Sequence, residues 1–390
     1  MQTKGKFTQF LLLFLIALTP LLGLPEMIDF LSIPVTVPVL YVKLPKDILI
    51  ILIAVLNVFY ILYNRNYSKR LLVPLFILII FTLFVLVLSI NDLQIVIAGI
   101  RWILPVFLIF LLYGTTIDTE FLNKVANTVS ILILLNIVIQ IYEMFNMPPV
   151  WGNNYFGLTG RLPGFFSQAS PAGIFGAFCF YLIRYYGTLK YNKIFLMISA
   201  ISIFLSMSSM GVALFLLLVT VHFFIKSKNE YKLLTIFVFI PVLFAGLTNL
   251  DKLTGREENS TTISGSARIA VLKEQIVSSQ FISTKFGQAT NTSQNFVRKL
   301  DLDNDSFVAD SFYTSILTNY GYLFFILFAM YLFYLAIIIF NSKNIPLIMF
   351  FIISMVSAIS IIVSEIFPMN LLIAILSAYF IKHKQIKFHK

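Results

Sequence analysis

The sequence predicts an all-α, polytopic integral membrane protein with a large polar loop on one face. Its 390 residues are 59% hydrophobic and only 12% charged, whereas soluble domains are about 25% charged. The mean hydropathy is +0.92, and a globular core of this length would leave much of that apolar surface in water. Apolar runs of about 17–25 residues, long enough to cross a bilayer as helices, recur along the chain.

We expect about 12 transmembrane helices from these runs. The pair at 193–208 and 210–226 is separated by one short polar break and could form a single bent element. The runs are 7–24, 47–63, 71–90, 95–113, 123–145, 170–187, 193–208, 210–226, 231–248, 316–340, 345–363 and 369–381.

The distribution of basic residues predicts that both termini are cytoplasmic. With the N-terminus inside, 17 of the 28 lysines and arginines fall on the cytoplasmic side and three in the short outer loops, as the positive-inside rule requires. The net charge of +11 is therefore mainly a signal of topology, with some attraction to anionic lipid. Nucleic acid is not an expected partner, whereas membrane lipid is.

Three regions follow from this topology. Residues 1–248 hold nine helices and a short outer loop at 146–169, and 249–310 form a large extracytoplasmic loop. Within that loop, residues from 266 to about 281 have the pattern of an amphipathic helix. Residues 311–390 hold the last three helices and a basic cytoplasmic tail. Long loops on a membrane scaffold usually carry function.

Three arginines are candidate ligands for an anion. Arg101 lies inside a span, where a cation costs roughly 2.5–3.5 kcal/mol on insertion scales. It either extends to the interface or binds an anion in a polar cavity. Arg161 stands in a Gly- and Pro-rich turn, and Arg268 opens the loop helix. Either could also be an ordinary surface charge.

All three arginines would lie at or near the outer face of the membrane. The guanidinium group is planar, keeps its charge and offers several donors, so it suits phosphate. The sequence therefore favours a site for a diphosphate on a lipid carrier.

Asp310 closes the long loop just before a span. It either stabilises the start of the next helix, or it lies at the mouth of an outer cavity, where it would touch or activate a sugar hydroxyl.

No cofactor and no metal is expected. The single cysteine, Cys179, excludes an internal disulfide framework and a Cys-based cluster. The run Asp301, Asp303 and Asp305 begins like a calcium loop but lacks the required glycine and the final glutamate. No Gly-Lys-Ser/Thr phosphate loop occurs, so ATP-driven pumping is not supported.

Four local patterns carry a resemblance to a known family. The outer loop 160–173 bears an arginine before it enters a span. Residues 265–268, Gly-Ser-Ala-Arg, are similar to a Gly-x-x-Arg opening of the loop helix. Residues 310–321 resemble an element with His and Gly at its ends, with Asp in place of His, and Arg101 stands in an earlier span. With the span count and the large outer loop, the chain resembles the superfamily of O-antigen polymerases (Wzy-type) and O-antigen ligases.

The resemblance implies a glycosyltransferase of the bacterial cytoplasmic membrane. Such polymerases join repeat units carried on undecaprenyl pyrophosphate into O-antigen or capsular polysaccharide at the outer face, moving the growing chain onto a new unit. Arg101, Arg161 and Arg268 would hold the pyrophosphate and stabilise the leaving group. Asp310 would orient or deprotonate the acceptor hydroxyl, so Asp310 and Arg268 are the implied catalytic residues. Implied partners are the lipid-linked glycan, a chain-length regulator and a flippase.

Two other activities remain open. An O-antigen ligase is a sibling within the superfamily, although the aspartate at 310 favours a polymerase. A flippase or transporter for lipid-linked oligosaccharide belongs to a different class. Transport coupled to protons would need carboxylates through the membrane, where Glu143 is the nearest candidate.

Overall fold

The computed structural model describes residues 2–22, 39–64, 69–90, 92–115, 117–146, 162–166, 168–227, 270, 273–290 and 311–382. Within these residues every regular element is a helix, and no strand occurs. The helices are α1 Gln2–Ala17, α2 Thr19–Leu22, α3 Val39–Asn64, α4 Lys69–Leu88, α5 Leu93–Leu111, α6 Thr119–Asn146, α7 Ala169–Tyr186, α8 Asn192–Leu205, α9 Ser209–Lys226, α10 Phe312–Tyr320, α11 Tyr322–Asn341, α12 Ile345–Ser360 and α13 Met369–Lys382.

Among the described residues, five stretches are long and apolar enough to cross a membrane, which agrees with an all-helical chain of the membrane class. They are Leu44–Tyr63, Leu93–Leu111, Thr119–Phe145, Ser209–Lys226 and Tyr322–Asn341. Five shorter apolar helices accompany them. The predicted span 231–248 lies outside the described residues.

The outer surface of the bundle is apolar. Side chains such as Phe59, Val87 and Phe333 are more than half exposed, although their helices consist almost entirely of hydrophobic residues. Contiguous exposed apolar surface of this kind is costly in water and neutral in lipid. These faces therefore contact the hydrocarbon of a bilayer.

The centre of the bundle is α7, which is buried along most of its length. It packs against α6, α8, α9 and α12. Glycines permit the close approach: a Cβ on Gly173 would lie 2.5 Å from the Ser208 Cβ, and one on Gly176 would lie 2.6 Å from Ile203 Cγ1. Small residues at helix contacts are how membrane helices gain packing energy, since lipid supplies no hydrophobic drive between them.

One predicted division agrees with the structure, and one predicted span does not. The runs 193–208 and 210–226 form separate helices, α8 and α9, because the chain turns at residues 206–208 and Ser208 caps α9 by accepting from Gly211 N at 3.1 Å. The run 316–340 is divided into α10 and α11 at Gly321, whose φ is +86°. Only glycine adopts that backbone conformation readily.

Candidate anion-binding site

Arg101 lies on α5, at the edge of the face that the helix buries. Its neighbour Trp102 is fully buried, whereas the Arg101 side chain is 34% exposed. Arg101 extends towards α3, where it meets Asp47. The Nε of Arg101 is 2.9 Å from the Asp47 Oδ2, so the cation inside this span is held by a carboxylate of another helix.

Asp47 is shared between two cations. Its Oδ1 lies 3.1 Å from the Nζ of Lys46, and its side chain is 23% exposed. We call Lys46, Asp47 and Arg101 the basic triad. One carboxylate between two cations leaves a formal charge of +1, and Asp47 is the only carboxylate that contacts Arg101 within the described part of the chain. The guanidinium has five donors, so a further anion has groups to bind.

Lys46 and Asp47 were not among the residues singled out from the sequence. The available signal was their position, because both stand where the second apolar run begins. A carboxylate at the start of an apolar run does not by itself reveal a partner more than fifty residues later, two helices along the chain. The pairing depends on how α3 packs on α5.

The segment between α12 and α13, residues 361–368, connects the basic triad with the start of α10. At one end the Nζ of Lys46 lies 5.7 Å from the centroid of the Phe367 ring, within the range of a cation–π contact. At the other end the carbonyl of Ile361 accepts a hydrogen bond from Phe312 N at 3.2 Å.

The start of α10 is fixed by its own side chains. Ser311 accepts from Thr314 N at 3.2 Å, and the Thr314 Oγ1 accepts from Ser311 N at 3.3 Å, which is a reciprocal cap. The Phe312 ring lies 5.8 Å from that of Trp102. Trp102, which follows Arg101, is thus in contact with Phe312, which is two residues after Asp310. Asp310 itself lies outside the described residues.

A second polar arrangement lies on α6. Asn136, Gln140 and Glu143 are spaced four and three residues apart and share one face of the helix, and each is at least 98% buried. This face holds a turn at residues 162–166.

The hydrogen bonds to this turn go to its backbone. Glu143 Oε2 accepts from Gly164 N at 2.9 Å, and Asn136 Oδ1 accepts from Phe165 N at 3.1 Å. Gln140 Nε2 donates to the Leu162 carbonyl at 2.8 Å. The Glu143 carboxylate therefore serves to hold the turn. Arg161, which immediately precedes Leu162, lies outside the described residues, and the described contacts do not join this turn to the basic triad.

The described part of the predicted outer loop, residues 270 and 273–290, packs into the bundle. Ala270 and residues 273–278 are helical, in agreement with part of the predicted amphipathic helix, and Arg268 lies outside the described residues. Beyond this helix the chain buries Phe286 and Ala289 completely. The segment is thus not wholly a solvated excursion, because it fills the space between α5 and α10.

Asn319 of α10 fixes this buried segment. Its Oδ1 accepts from Gly287 N at 3.0 Å and from Ala289 N at 3.2 Å, while its Nδ2 donates to the Ala289 carbonyl at 3.3 Å. Gly287 has a φ of +90° and lies directly against α5, where an added Cβ would meet the Ile95 carbonyl. Backbone groups that water cannot reach are in this way paired with an amide side chain.

No protein-family model matches the chain, and no curated protein and no solved structure matches it. The fold and the apolar surface define the class, which is an all-helical, membrane-embedded protein. Within that class, Arg101 is the candidate residue that the structure describes, and it is joined by Lys46 and Asp47. No group of three or more His, Cys, Asp or Glu side chains able to hold a metal occurs in the described residues.

Proposed function

We propose that this protein polymerises oligosaccharide repeat units linked to undecaprenyl pyrophosphate, at the outer face of the bacterial cytoplasmic membrane. In this proposal the chain has 12 spans, cytoplasmic termini and an outer loop at 249–310. The growing glycan passes to the acceptor hydroxyl of a new unit, and the bond from its first sugar to the pyrophosphate breaks. The acceptor proton is released, and undecaprenyl pyrophosphate leaves.

The observation that carries the proposal is the basic triad and its position. Two fixed cations that share one carboxylate suit a diphosphate anion, since fixed cations stabilise charge that develops on a leaving group. The same region contacts the start of α10 through Phe312, Trp102 and Ile361. Asp310 directly precedes this start, which supports a carboxylate close to the anion site.

Arg161 and Arg268 complete the proposed site. The chain that follows each arginine is anchored within the bundle, at Leu162 by Gln140 and at Ala289 by Asn319. Leu162 directly follows Arg161, so its anchor restricts where Arg161 can reach, whereas Ala289 is too far along the chain from Arg268 to do the same. Both arginines are included as further ligands of the pyrophosphate because of the sequence patterns in which they stand.

The experiment is deletion of the gene, complementation with variants, and a gel of surface polysaccharide. Arg101→Ala, Arg268→Ala and Asp310→Ala should stay in the membrane but yield core with a single repeat unit in place of long glycan. Matched controls are Arg184→Ala, at a residue that contacts His222, and Asp305→Ala in the acidic run. Both should restore long glycan.

Other products of the deletion would replace the proposal with a specific alternative. Loss of all capped core with accumulation of lipid-linked polymer identifies a ligase. Repeat units trapped on the cytoplasmic leaflet identify a flippase. Wild-type chain length from Asp310→Ala and Arg268→Ala would remove both residues from the site.

A further inference from the structure

A cavity of about 210 Å³ lies between α5, α10, α11, α12 and α13. Its wall is almost entirely apolar and includes Pro105 and Ile109 of α5, Phe328 and Leu335 of α11, and Ala358 of α12. An apolar cavity of about 150 Å³ stays dry and takes up benzene. This larger space therefore accommodates hydrocarbon better than water.

Two buried hydroxyls also line the cavity. Ser354 and Ser364 are each 5% exposed, and neither Oγ has a hydrogen-bond partner in the described structure. An unpaired buried hydroxyl costs about 1–3 kcal/mol. Both side chains line the same space, so a ligand with a polar atom beside either hydroxyl would remove that cost for it.

α11 forms one wall of the cavity, which is partly open. α11 packs on α10 and α12, and one side of it carries exposed apolar side chains such as Met330, Phe333 and Ile337. The opposite side carries Phe328 and Leu335, which line the cavity. Hydrocarbon thus lies on both sides of α11 if the cavity is filled by a lipid chain.

We infer that this cavity binds a section of the hydrocarbon chain of a membrane lipid, with the first polar group of that lipid held by Ser354 and Ser364. The site lies close to the basic triad. Pro105 is four residues from Arg101, about 6 Å along a helix, and Ser364 belongs to the segment whose Phe367 contacts Lys46. The inference goes beyond the proposed glycan transfer and does not require it, because prenyl and acyl chains share this chemistry.

The test uses the purified full-length protein in detergent with two photoreactive probes. One is a prenyl phosphate and the other a phosphatidylglycerol with a diazirine on its acyl chain. Mass spectrometry of the labelled protein should place the modification on residues that line the cavity. Labelling by the prenyl probe alone identifies a carrier lipid as the source, and labelling by the acyl probe alone identifies a phospholipid. Both results support the inference.

Two variants on α11 provide a matched comparison. Leu335→Trp places a larger ring in the cavity and should reduce labelling at least about tenfold, whereas Ile337→Trp adds the same ring to the exposed side and should change it less than about twofold. The double variant Ser354→Ala with Ser364→Ala should weaken competition by unlabelled probe about fivefold, the effect of one net hydrogen bond.

Three results would overturn the inference. They are absence of labelling by both probes, labelling confined to the exposed side of α11, and equal labelling of the two tryptophan variants. The mapping on the unaltered protein does not depend on whether a variant folds. The two proposals can fail separately. If the cavity is labelled but deletion of the gene leaves glycan length unchanged, the polymerase function is rejected and the lipid site is retained.

Discussion

Arg101 and Asp47 join two helices through an ion pair, with 2.9 Å between the guanidinium Nε and the carboxylate Oδ2. The pair is only partly exposed, and Lys46 approaches the other carboxylate oxygen. Removal of Asp47 would leave two cations facing each other. The triad is therefore a structural contact between α3 and α5, and its three side chains carry a formal charge of +1.

A double-mutant cycle measures this pair. Asp47→Asn and Arg101→Gln should show a coupling energy of about 1–2 kcal/mol, between the values for exposed and fully buried pairs. Unfolding of the detergent-solubilised protein provides the measurement. The control cycle uses Lys124 and Glu120, an exposed pair on α6, for which about 0.3–0.5 kcal/mol is expected. Equal coupling in the two cycles would show that Arg101 does not depend on Asp47.

The turn on α6 should respond to loss of its side-chain acceptors. Glu143→Ala removes the acceptor of Gly164 N, and Asn136→Ala removes that of Phe165 N. Hydrogen exchange at the corresponding amide should accelerate about tenfold in each variant. Glu143→Gln keeps an acceptor and should exchange at nearly the original rate. If the exchange rates are unchanged in both alanine variants, the turn does not pack against these side chains.

Gly287 should not tolerate a side chain. Its φ is +90°, and an added Cβ would approach the backbone of Ile95, which cannot move aside easily. Gly287→Ala should lower the free energy of unfolding by more than about 2 kcal/mol, since the left-handed conformation alone costs about 1–2. Thermal unfolding in detergent measures the loss. Val277→Ala, at a side chain 86% exposed, should have little effect.

The cap of α10 should contribute about 1 kcal/mol. Ser311→Ala removes the acceptor of Thr314 N, so that amide should exchange faster and the protein should unfold at a lower temperature. Ser311→Asp retains an acceptor at the cap and should restore both properties. Failure of Asp to restore them would show that the hydroxyl acts through another contact.

The sequence predicted the helices well wherever an apolar run coincides with one helix, as in α5 and α13. It did not predict the break at Gly321, because apolar residues continue across the glycine and periodicity alone does not show it. The polar face of α6 is visible in the sequence at positions 136, 140 and 143. These side chains bind backbone groups of a turn. Every residue has such groups, so residue types do not reveal which segment is bound.

The sequence predicts individual charged residues of the candidate site but not the contacts between them. Arg101 stands out because a cation within an apolar run is rare. Its partner Asp47 is more than fifty residues earlier, and the contact follows from helix packing. Burial of Phe286 was equally hidden, since it lies in a polar stretch of the chain. Tertiary packing decides both features.

The break at Gly321 has a mechanical consequence. Tyr322 N donates to the Gln280 carbonyl at 3.0 Å, and Leu323 N donates to the Phe281 carbonyl at 3.1 Å. The first amides of α11 are thus tethered to residues 280 and 281 of the segment that packs between α5 and α10. A displacement of that segment must therefore either tilt α11 or break both hydrogen bonds. α11 also forms one wall of the apolar cavity. A displacement of residues 280 and 281 would therefore also change the width of that cavity.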